Sequence, residues 1–357
     1  MTGPSKEAVI AQLRTVQDPE IHQDIVKLNM VRNVAIEGGD VTVEVELTTP
    51  ACPLKDRIRG DVEAAVRRVP GVTSVTLAFS AQVRSRSRRA VELPGVKNVI
   101  AVGAGKGGVG KSTVAALLAV GLRREGAMTG LLDADVYGPS VPTIMGVEGA
   151  RPEVRDDKIV PIEAAGVKLI SIGFFIDAEQ AVVWRGPMVH GTVQQFLGSV
   201  EWGDLDYLVI DLPPGTGDVP LTLSQSIPMT GSVVVCTPQD LALADARRAV
   251  MMYEKLNVPC LGIVENMSYY VCPHCHQRDD IFDHGGARRA AKDLSVPFLG
   301  EIPLNAKLRV FADQGTPEKC FSADDNPVRD AVMNVVRAVA GQVSVRVSME
   351  ATASVER

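Results

Sequence analysis

The 357-residue sequence lacks the features of a secreted, membrane-spanning or nucleic-acid-binding protein. Its N-terminus has no apolar segment after a basic start, which argues against a signal peptide, and no run approaches the roughly 20 apolar residues of a membrane span. Six cysteines are too few for a disulfide scaffold, and a net charge of −6 gives no reason to expect nucleic acid or an acidic membrane as a partner. We therefore expect a soluble, cytoplasmic protein with reduced thiols.

Aromatic residues are also scarce, at 4% of the chain, whereas 46% of the residues are hydrophobic. Cores built mainly from Val, Ala, Leu and Ile are typical of parallel α/β sheets that are buried on both faces. From residue 97 to 345, short Val/Ile runs alternate with helical segments, which predicts a doubly wound, mostly parallel sheet. The fold class is therefore α/β.

The first 80 residues predict a separate, small α+β domain. Two segments with helical spacing flank a hairpin that turns at Gly38-Gly39-Asp40. Residues 81–96 are polar, basic and without periodicity, and are interpreted as a linker. At the other end, helical spacing runs from Asn326 to about Gly341, and residues 346–357 are expected to form a flexible tail.

One motif predicts nucleotide binding. The segment GKGGVGKST satisfies G-x-x-x-x-G-K-[ST] directly after a strand and directly before a helix, and comprises Gly105, Lys106, Gly107, Gly108, Val109, Gly110, Lys111, Ser112 and Thr113. Glycines let successive backbone N–H groups turn towards phosphates, and the helix N-terminus adds its positive dipole end. Lys111 is expected to hold the β and γ phosphates of ATP, and Ser112 to ligate Mg²⁺.

Carboxylates follow at the ends of two later strands. Asp133 and Asp135 lie in LLDADVYGPS, and Asp211 ends the strand of YLVIDLPPGTGD. Asp211 is expected to hold Mg²⁺ through water, and the turn from Pro213 to Asp218 to sense the γ phosphate. An isolated aspartate at a strand end can also cap the next helix, but three in this order after a phosphate loop favour the nucleotide site.

Cys272 and Cys275 form a C-x-x-C pair that is compatible with three chemistries. Redox exchange is disfavoured because the pair lies in a loop rather than at the start of a helix. A structural zinc site needs four ligands, which His274, His276 and His284 could complete within one chain. An iron–sulfur cluster usually takes four thiolates.

The remaining cysteines supply no second pair. Cys236 and Cys260 lie in or beside apolar strands, which is typical of core residues, and Cys320 is isolated. A symmetric homodimer would bring together four sulfurs, two from each copy. Zinc within a single chain remains the alternative.

The phosphate loop resembles that of the MinD/ParA/nitrogenase-iron-protein group, because it carries the additional Lys106. The resemblance implies that Lys106 reaches the phosphates of the facing subunit, where a second positive charge would stabilise the transition state. It also implies that Asp135 orients the attacking water, that Asp133 lies near the Mg²⁺ shell and that Asn266 reads the adenine edge.

A more specific resemblance covers Lys97 to Val345. The segments GKGGVGKST, LLDADVYGPS, VVWRGPM, DLPPGTGD, VENMSYYVCPHC and IFDHGGARRAA occur in the order of the Mrp/ApbC family of iron–sulfur cluster carrier ATPases. The resemblance implies a labile [4Fe-4S] cluster bridged between two protomers by Cys272 and Cys275. It further implies that ATP-dependent transfer delivers the cluster to apo iron–sulfur proteins, in contact with cluster scaffold proteins. Two departures, FDHGGA and His276, change the loop near the cysteines without changing the thiolate pair.

The N-terminal domain resembles a small domain of iron–sulfur assembly factors. Its Cys52 stands at a loop that enters a helix, and a helix N-terminus lowers the pKa of a thiol, so Cys52 is a candidate for transient metal or cluster binding. An inert cysteine in a turn is the equal alternative. Asp18 and Glu20 are interpreted as structural caps.

Three other functions compete with the carrier. A ParA/MinD-like positioning ATPase with a structural zinc at the C-x-x-C pair is disfavoured by the acidic charge and by the lack of a basic amphipathic C-terminal helix. An electron-transfer reductase would carry a different thiolate pattern. A zinc-dimerised ATPase of another role is separated from the carrier by metal analysis.

Overall fold

The computed structural model describes residues 3–83, 93–175, 191, 197–217, 221, 229–322 and 327–355. The basic run of the linker, the segment VVWRGPM and Asp218 lie outside these ranges. The chain divides into two compact units, of which the first contains Met1–Arg84 and Ala340–Arg357 and the second Ser85–Val339.

The first unit is built around a three-stranded sheet in the order β1-β2-β3. Its elements are α1 (Lys6–Leu13), β1 (Val31–Glu37), β2 (Asp40–Leu47), α2 (Lys55–Val66) and β3 (Ser74–Ala81). Strands β1 and β2 are antiparallel around Gly38, whose φ of 62° suits a tight turn, which confirms the predicted hairpin. Strand β3 runs parallel to β2 after the crossover helix α2.

The second unit contains a nine-stranded sheet in the order β13-β12-β11-β4-β10-β5-β9-β8, with β14 also paired to β12. Its strands are β4 (Val96–Gly103), β5 (Thr129–Asp133), β8 (Ile162–Ala164), β9 (Val167–Ser171), β10 (Leu205–Asp211), β11 (Gly231–Cys236), β12 (Cys260–Val271), β13 (Arg278–Asp279) and β14 (Phe298–Leu304). A separate two-stranded sheet pairs β6 (Val154–Arg155) with β7 (Lys158–Ile159).

Six helices follow in the described residues; the first four lie between strands, the last two come after β14, and the end of the last belongs to the first unit. They are α3 (Lys111–Arg124), α4 (Val141–Ile144), α5 (Asp240–Lys255), α6 (Gly286–Asp293), α7 (Ala306–Asp313) and α8 (Pro327–Val355), with short 3₁₀ turns at Ile172–Phe174 and Pro317–Phe321. No helix in the described ranges is both long and apolar enough to cross a membrane.

The central strands are parallel and buried on both faces, which confirms the predicted α/β class. Every residue of β5 and β11 is buried, and six of the eight residues of β4 are buried. Strand β4 lies between β10 and β11, and all three run in the same direction. The loops that follow their carboxyl ends therefore meet at one edge of the sheet, where ligands of such folds bind.

The C-terminal helix is longer than the sequence analysis predicts. Helix α8 continues to Val355, whereas helical structure is expected to end near Gly341 and to be followed by a tail. Buried residues continue at helical spacing past that point, from Ala340 to Val343 and Val347. An apolar stripe that is buried in this way stabilises the helix through packing, so the segment does not fray there.

Candidate functional site

The phosphate loop connects β4 to α3 and depends on glycine at several positions. Gly108 and Gly110 have φ angles of 80° and 81°, in the left-handed region that side chains disfavour. A Cβ atom at Gly110 would lie 2.2 Å from Nδ2 of Asn266, and one at Gly105 would lie 2.2 Å from the backbone of Asp245. The backbone can therefore approach its neighbours, and a phosphate, only where these side chains are absent.

Lys111, at the start of α3, lies among buried carboxylates. Its Nζ atom donates to Asp211 Oδ1 at 2.5 Å and lies 3.3 Å from Asp135 Oδ2. The same ammonium is 3.3 Å from the Ser112 hydroxyl oxygen. The lysine is only 6% exposed, so its charge is balanced by these acids rather than by water.

The strand register explains why the acids converge. Asp211 is the partner of Asp133 in the β10–β5 pairing, so the two strand-end carboxylates stand side by side. Asp133 accepts hydrogen bonds from the Asp135 amide at 3.1 Å, the Val141 amide at 3.3 Å and the Ser171 hydroxyl at 2.9 Å. Burial and the nearby Asp211 carboxylate raise the pKa of Asp133 to about 8, and the Ser171 hydrogen bond opposes that rise.

Asp211 has one oxygen that is still available. Its Oδ2 atom is buried and has no hydrogen-bond partner within the described residues, while Oδ1 is bonded to Lys111. Burial raises the pKa of Asp211, and the Lys111 ammonium opposes the rise. A buried, unpaired carboxylate oxygen beside the Ser112 hydroxyl is the donor set that Mg²⁺ prefers, so the residues present fit the metal.

Lys106 lies on the phosphate loop, and Asn266 contacts that loop from a neighbouring strand. Lys106 is half-buried and forms no ion pair with any residue that the structure describes. Asn266, on β12, is buried, and its Nδ2 atom donates to the carbonyl oxygen of Val109 at 2.8 Å. The structure thus brings Asn266 against the phosphate loop itself.

Cys272 and Cys275 lie at the tip of a second feature, the cysteine hairpin, which we define as residues 270–279. Strands β12 and β13 pair Tyr270 with Asp279 and Val271 with Arg278. Two backbone hydrogen bonds close the turn, from the Cys272 amide to the Gln277 carbonyl at 3.0 Å and from the His276 amide to the Cys272 carbonyl at 2.9 Å.

The turn favours a thiolate at Cys272. Hydrogen bonds to its sulfur from the backbone amides of Cys275 and His274, and from the Cys275 side chain, lower the pKa of Cys272. Cys275 is exposed and Cys272 half-buried, so both sulfurs are accessible. Ionised, accessible thiols are the form that binds a metal or a cluster.

The single-chain zinc site does not form among the described residues. In those ranges no group of three or more His, Cys, Asp or Glu side chains is placed to hold a metal ion. His284 Nε2 instead lies 3.0 Å from Glu301 Oε2, on β14. Within the described chain, the cysteine hairpin therefore presents two ligands.

Cys52 differs from the expectation. Burial is the main cause that raises the pKa of Cys52 to about 11, and the nearby carboxylates of Glu20 and Asp18 also raise it. The Leu54 amide and Lys55 oppose the rise. The prediction of a lowered pKa was wrong because the thiol is largely buried beside acids. Asp18 has the expected capping role, since its Oδ1 atom accepts hydrogen bonds from the Glu20 and Ile21 amides, both at 2.9 Å.

The other three cysteines have core environments. Cys236 and Cys320 are buried and Cys260 is half-buried. Burial raises the pKa of Cys260 to about 11 and those of Cys236 and Cys320 to about 12. These thiols stay protonated at neutral pH, in agreement with the interpretation of Cys236 and Cys260 as core residues; Cys320 is buried as well.

Sequence reasoning missed Glu265. This carboxylate, next to Asn266 on β12, is fully buried and accepts hydrogen bonds from Ser268, Gly285 and Ala287. A charged residue inside an otherwise apolar strand run was the available signal.

A phosphate loop after the central strand of a parallel sheet, with a lysine and strand-end aspartates at the same edge, defines a P-loop NTPase. A family model described as NUBPL iron-transfer P-loop NTPase matches residues 95–340, and one described as iron-sulfur cluster assembly protein matches residues 6–77. The chain therefore belongs to the family of iron-transfer P-loop NTPases, which confirms the resemblance inferred from the motifs.

Individual relatives agree. The chain is 51% identical over 345 residues to an iron-sulfur cluster carrier protein of Deinococcus radiodurans. The alignment covers 96% of this chain and 97% of the relative. It is 43% identical over 314 residues to an Escherichia coli protein of the same description, covering 87% and 85%.

Solved structures show the same fold. A nucleotide-binding protein of Archaeoglobus fulgidus in complex with ADP matches with a TM-score of 0.58 and 43% identity, covering 64% of this chain and 90% of that one. The cell division ATPase MinD of Pyrococcus furiosus matches with a TM-score of 0.53 and 20% identity, covering 68% and 98%. The second likeness concerns the fold alone.

Proposed function

We propose that this protein is an ATP-hydrolysing iron–sulfur cluster carrier that binds a labile [4Fe-4S] cluster between two copies of the chain and transfers it to apo-proteins. The observation that supports this best is the cysteine hairpin, which offers two accessible thiols, one of them with a lowered pKa, on a member of the iron-transfer NTPase family. The relatives described as iron-sulfur cluster carrier proteins support the same cargo.

The cargo requires two copies of the chain. A [4Fe-4S] cluster is usually held by four thiolates, and one hairpin provides Cys272 and Cys275 only. Two hairpins related by a two-fold axis complete the ligand set without any other cysteine. Ligands shared between subunits are also released when the subunits separate, which suits a carrier.

The nucleotide site requires a rearrangement of charge. Without nucleotide, the single Lys111 ammonium forms ion pairs with both Asp211 and Asp135. When ATP enters the loop of Gly105 to Thr113, the Lys111 ammonium moves to the β and γ phosphates, and the acids need another cation. Mg²⁺ would be that cation. Ser112, and Asp211 through water, would hold it beside the phosphates, where it would add positive charge.

Hydrolysis then uses groups from both copies. Asp135 orients the water whose oxygen attacks the γ phosphorus, while the bond to the leaving oxygen of ADP breaks. Lys106 of the facing copy stabilises charge on the transferring group, a role supported by its lack of an ion pair within the described chain. Asp133 supports the loop that carries Asp135, and Asn266 contacts the adenine edge.

Anaerobic reconstitution with iron and sulfide tests the carrier function. We expect about four irons per dimer, with a cluster absorbance that is lost in Cys272→Ser and in Cys275→Ser. Transfer is then measured as activation of an apo-protein that needs a [4Fe-4S] cluster, with and without ATP. One zinc per chain, or a protein that stays monomeric with iron and ATP both supplied, would reject the proposal.

A further inference from the structure

Glu265 is a fully buried carboxylate to which the proposed chemistry gives no role. Its Oε1 atom accepts hydrogen bonds from the Ser268 hydroxyl at 2.6 Å and the Gly285 amide at 3.0 Å, and Oε2 accepts one from the Ala287 amide at 2.7 Å. A buried carboxyl group is costly unless hydrogen bonds of this kind satisfy its oxygens. The side chain is therefore held in one place.

The partners of Glu265 come from the two ends of one chain segment. Ser268 lies on β12 before the cysteine hairpin, whereas Gly285 and Ala287 begin helix α6 after it. The carboxylate thus closes a loop whose tip carries Cys272 and Cys275. Any shift of β12 at Glu265 must move both ends of that loop together.

Strand β12 is irregular between Glu265 and the cysteines. Asn266 pairs with Ile302 and Tyr270 with Leu304, so four steps on β12 correspond to two on β14. Met267, inside this bulge, has a φ of 55°, which costs energy for a residue with a side chain. The Ser268–Glu265 hydrogen bond is one of the contacts that hold the bulge in this shape.

The neighbour of Glu265 touches the phosphate loop. Asn266 donates to the Val109 carbonyl, and the side chain of Met267 lies close to Gly110, since a Cβ atom there would be 3.7 Å from the Met267 methyl carbon. The phosphate loop is therefore in direct contact with β12 at the bulge, one residue from Glu265.

We propose that Glu265 is a positioning residue that couples the phosphate loop to the cysteine hairpin: by joining the β12 bulge to the start of α6, it converts a change at Asn266 into a change in the accessibility of Cys272 and Cys275. This inference rests on the proposed function, in which the hairpin holds the cargo and the loop holds the nucleotide. It identifies the part of the chain through which nucleotide acts on the cluster site.

The test measures thiol alkylation in cluster-free, full-length protein. Iodoacetamide labelling of Cys272 and Cys275 is followed by peptide mass spectrometry with and without Mg-ADP, at a concentration where light scattering gives the same mass in both conditions. We expect ADP to change the labelling rate of at least one of the two cysteines about fivefold in the unmodified protein. In Glu265→Gln the ADP effect should disappear, with the ADP Kd changed less than about twofold.

Two further variants make the result specific. Arg288→Gln removes another anchor of α6, the contact of Arg288 Nη2 with Glu301 Oε1 at 3.2 Å, and should keep the ADP effect. Ser268→Ala removes only the contact to the bulge and should reduce the effect, which provides a test if Glu265→Gln folds poorly. The proposal is overturned if ADP has no effect on the unmodified protein, if Glu265→Gln retains the effect, or if Arg288→Gln loses it equally. Because no cluster is present, a failure of iron reconstitution would reject the carrier function without deciding this test.

Discussion

The nucleotide pocket and the cysteine hairpin belong to the same unit and are built in opposite ways. The pocket is lined with buried ionisable groups, since Lys111, Asp133 and Asp211 are nearly or fully buried. The hairpin holds an exposed and a half-buried thiol, and Cys272 is stabilised as a thiolate chiefly by backbone amides. In the pocket, charged groups pair with one another within a single chain, whereas the thiols of the hairpin have no such ion pairs among the described residues.

This difference indicates how each site gains its ligand. In the pocket, the proposed nucleotide would have to displace the ion pairs of Lys111 with Asp135 and Asp211, so its binding would be coupled to a movement of Lys111. In the hairpin, hydrogen bonds rather than a neighbouring cation lower the pKa of Cys272, so the proposed cluster would bind there without displacing an ion pair of that thiol. Separate mutations should therefore disable one site and leave the other intact.

The largest expected effect is on bound iron. Cys272→Ser should reduce iron after anaerobic reconstitution from about four per dimer to less than about one, because serine does not replace a thiolate ligand. The ADP Kd, measured by calorimetry, should change less than about twofold, since the hydrogen bonds described for this sulfur come from Cys275 and His274 of the hairpin and not from the pocket. Cys52→Ser is the matched control and should keep its iron. Equal loss in both variants would contradict the assignment of the site to the hairpin.

The next effect separates the two lysines of the phosphate loop. Lys111→Ala should weaken ATP binding about 100-fold, because a charge-assisted contact is lost and buried acids are left without their cation. Lys106→Ala should change the ATP Kd less than about threefold yet reduce turnover by about 1,000-fold, as expected for a charge supplied to the transition state by a second copy. Calorimetry and a phosphate-release assay measure the two quantities. Equal loss of ATP binding in both variants would exclude the role of Lys106 across the dimer.

The third effect concerns the pH dependence of thiol reactivity in cluster-free protein. The lowered pKa of Cys272 makes it a thiolate at a lower pH than an ordinary cysteine, whereas Cys52, with a pKa of about 11, stays protonated until strongly alkaline pH. At pH 8, iodoacetamide should therefore label Cys272 at least about tenfold faster than Cys52, after allowing for the lower nucleophilicity of the more acidic thiol. Labelling in denaturant is the control, because both rates should then converge. Comparable rates in the folded protein would show that the two environments do not differ as described.

Much of this contrast could be predicted from local sequence. The phosphate loop, the strand-end aspartates and the C-x-x-C pair are contiguous or lie at strand ends, so periodicity and motif spacing place them correctly. The hairpin at Gly38 was predictable for the same reason.

The remaining features depend on distant contacts. The pKa of Cys52 follows from burial near Glu20 and Asp18, which the helix-terminus argument did not include. The hydrogen bond from Lys111 to Asp211 joins two residues that are 100 positions apart in the chain. The hydrogen bonds of Glu265 include one from Gly285, a residue that lies beyond the hairpin in the chain. Spacing along the chain does not determine such contacts.

The smallest expected effect is on the stability of the pocket. Ser171→Ala removes the hydroxyl that donates to Asp133 Oδ2 at 2.9 Å and accepts from the Gly173 amide at 3.0 Å. The change should lower the free energy of unfolding by about 1–3 kcal/mol, the range for leaving a buried polar group unsatisfied. The pKa of Asp133 is raised to about 8, so the carboxyl is protonated at pH 6 and ionised at pH 9 in the nucleotide-free protein. Since the Ser171 bond favours the ionised form, its loss should cost more at pH 9 than at pH 6.

A serine whose hydroxyl contacts an uncharged group gives the matched control for this experiment. Ser232, equally buried on β11, has its hydroxyl 3.4 Å from the Pro259 carbonyl oxygen, so Ser232→Ala should cost less and show no dependence on pH in this range. Both variants are compared by urea unfolding in the presence of EDTA, which keeps Mg²⁺ from the carboxylates. If Ser171→Ala and Ser232→Ala lowered the free energy of unfolding equally at both pH values, the hydrogen bond to the Asp133 carboxylate would be worth no more than one to a neutral carbonyl. The contrast with the hairpin would then rest on exposure alone.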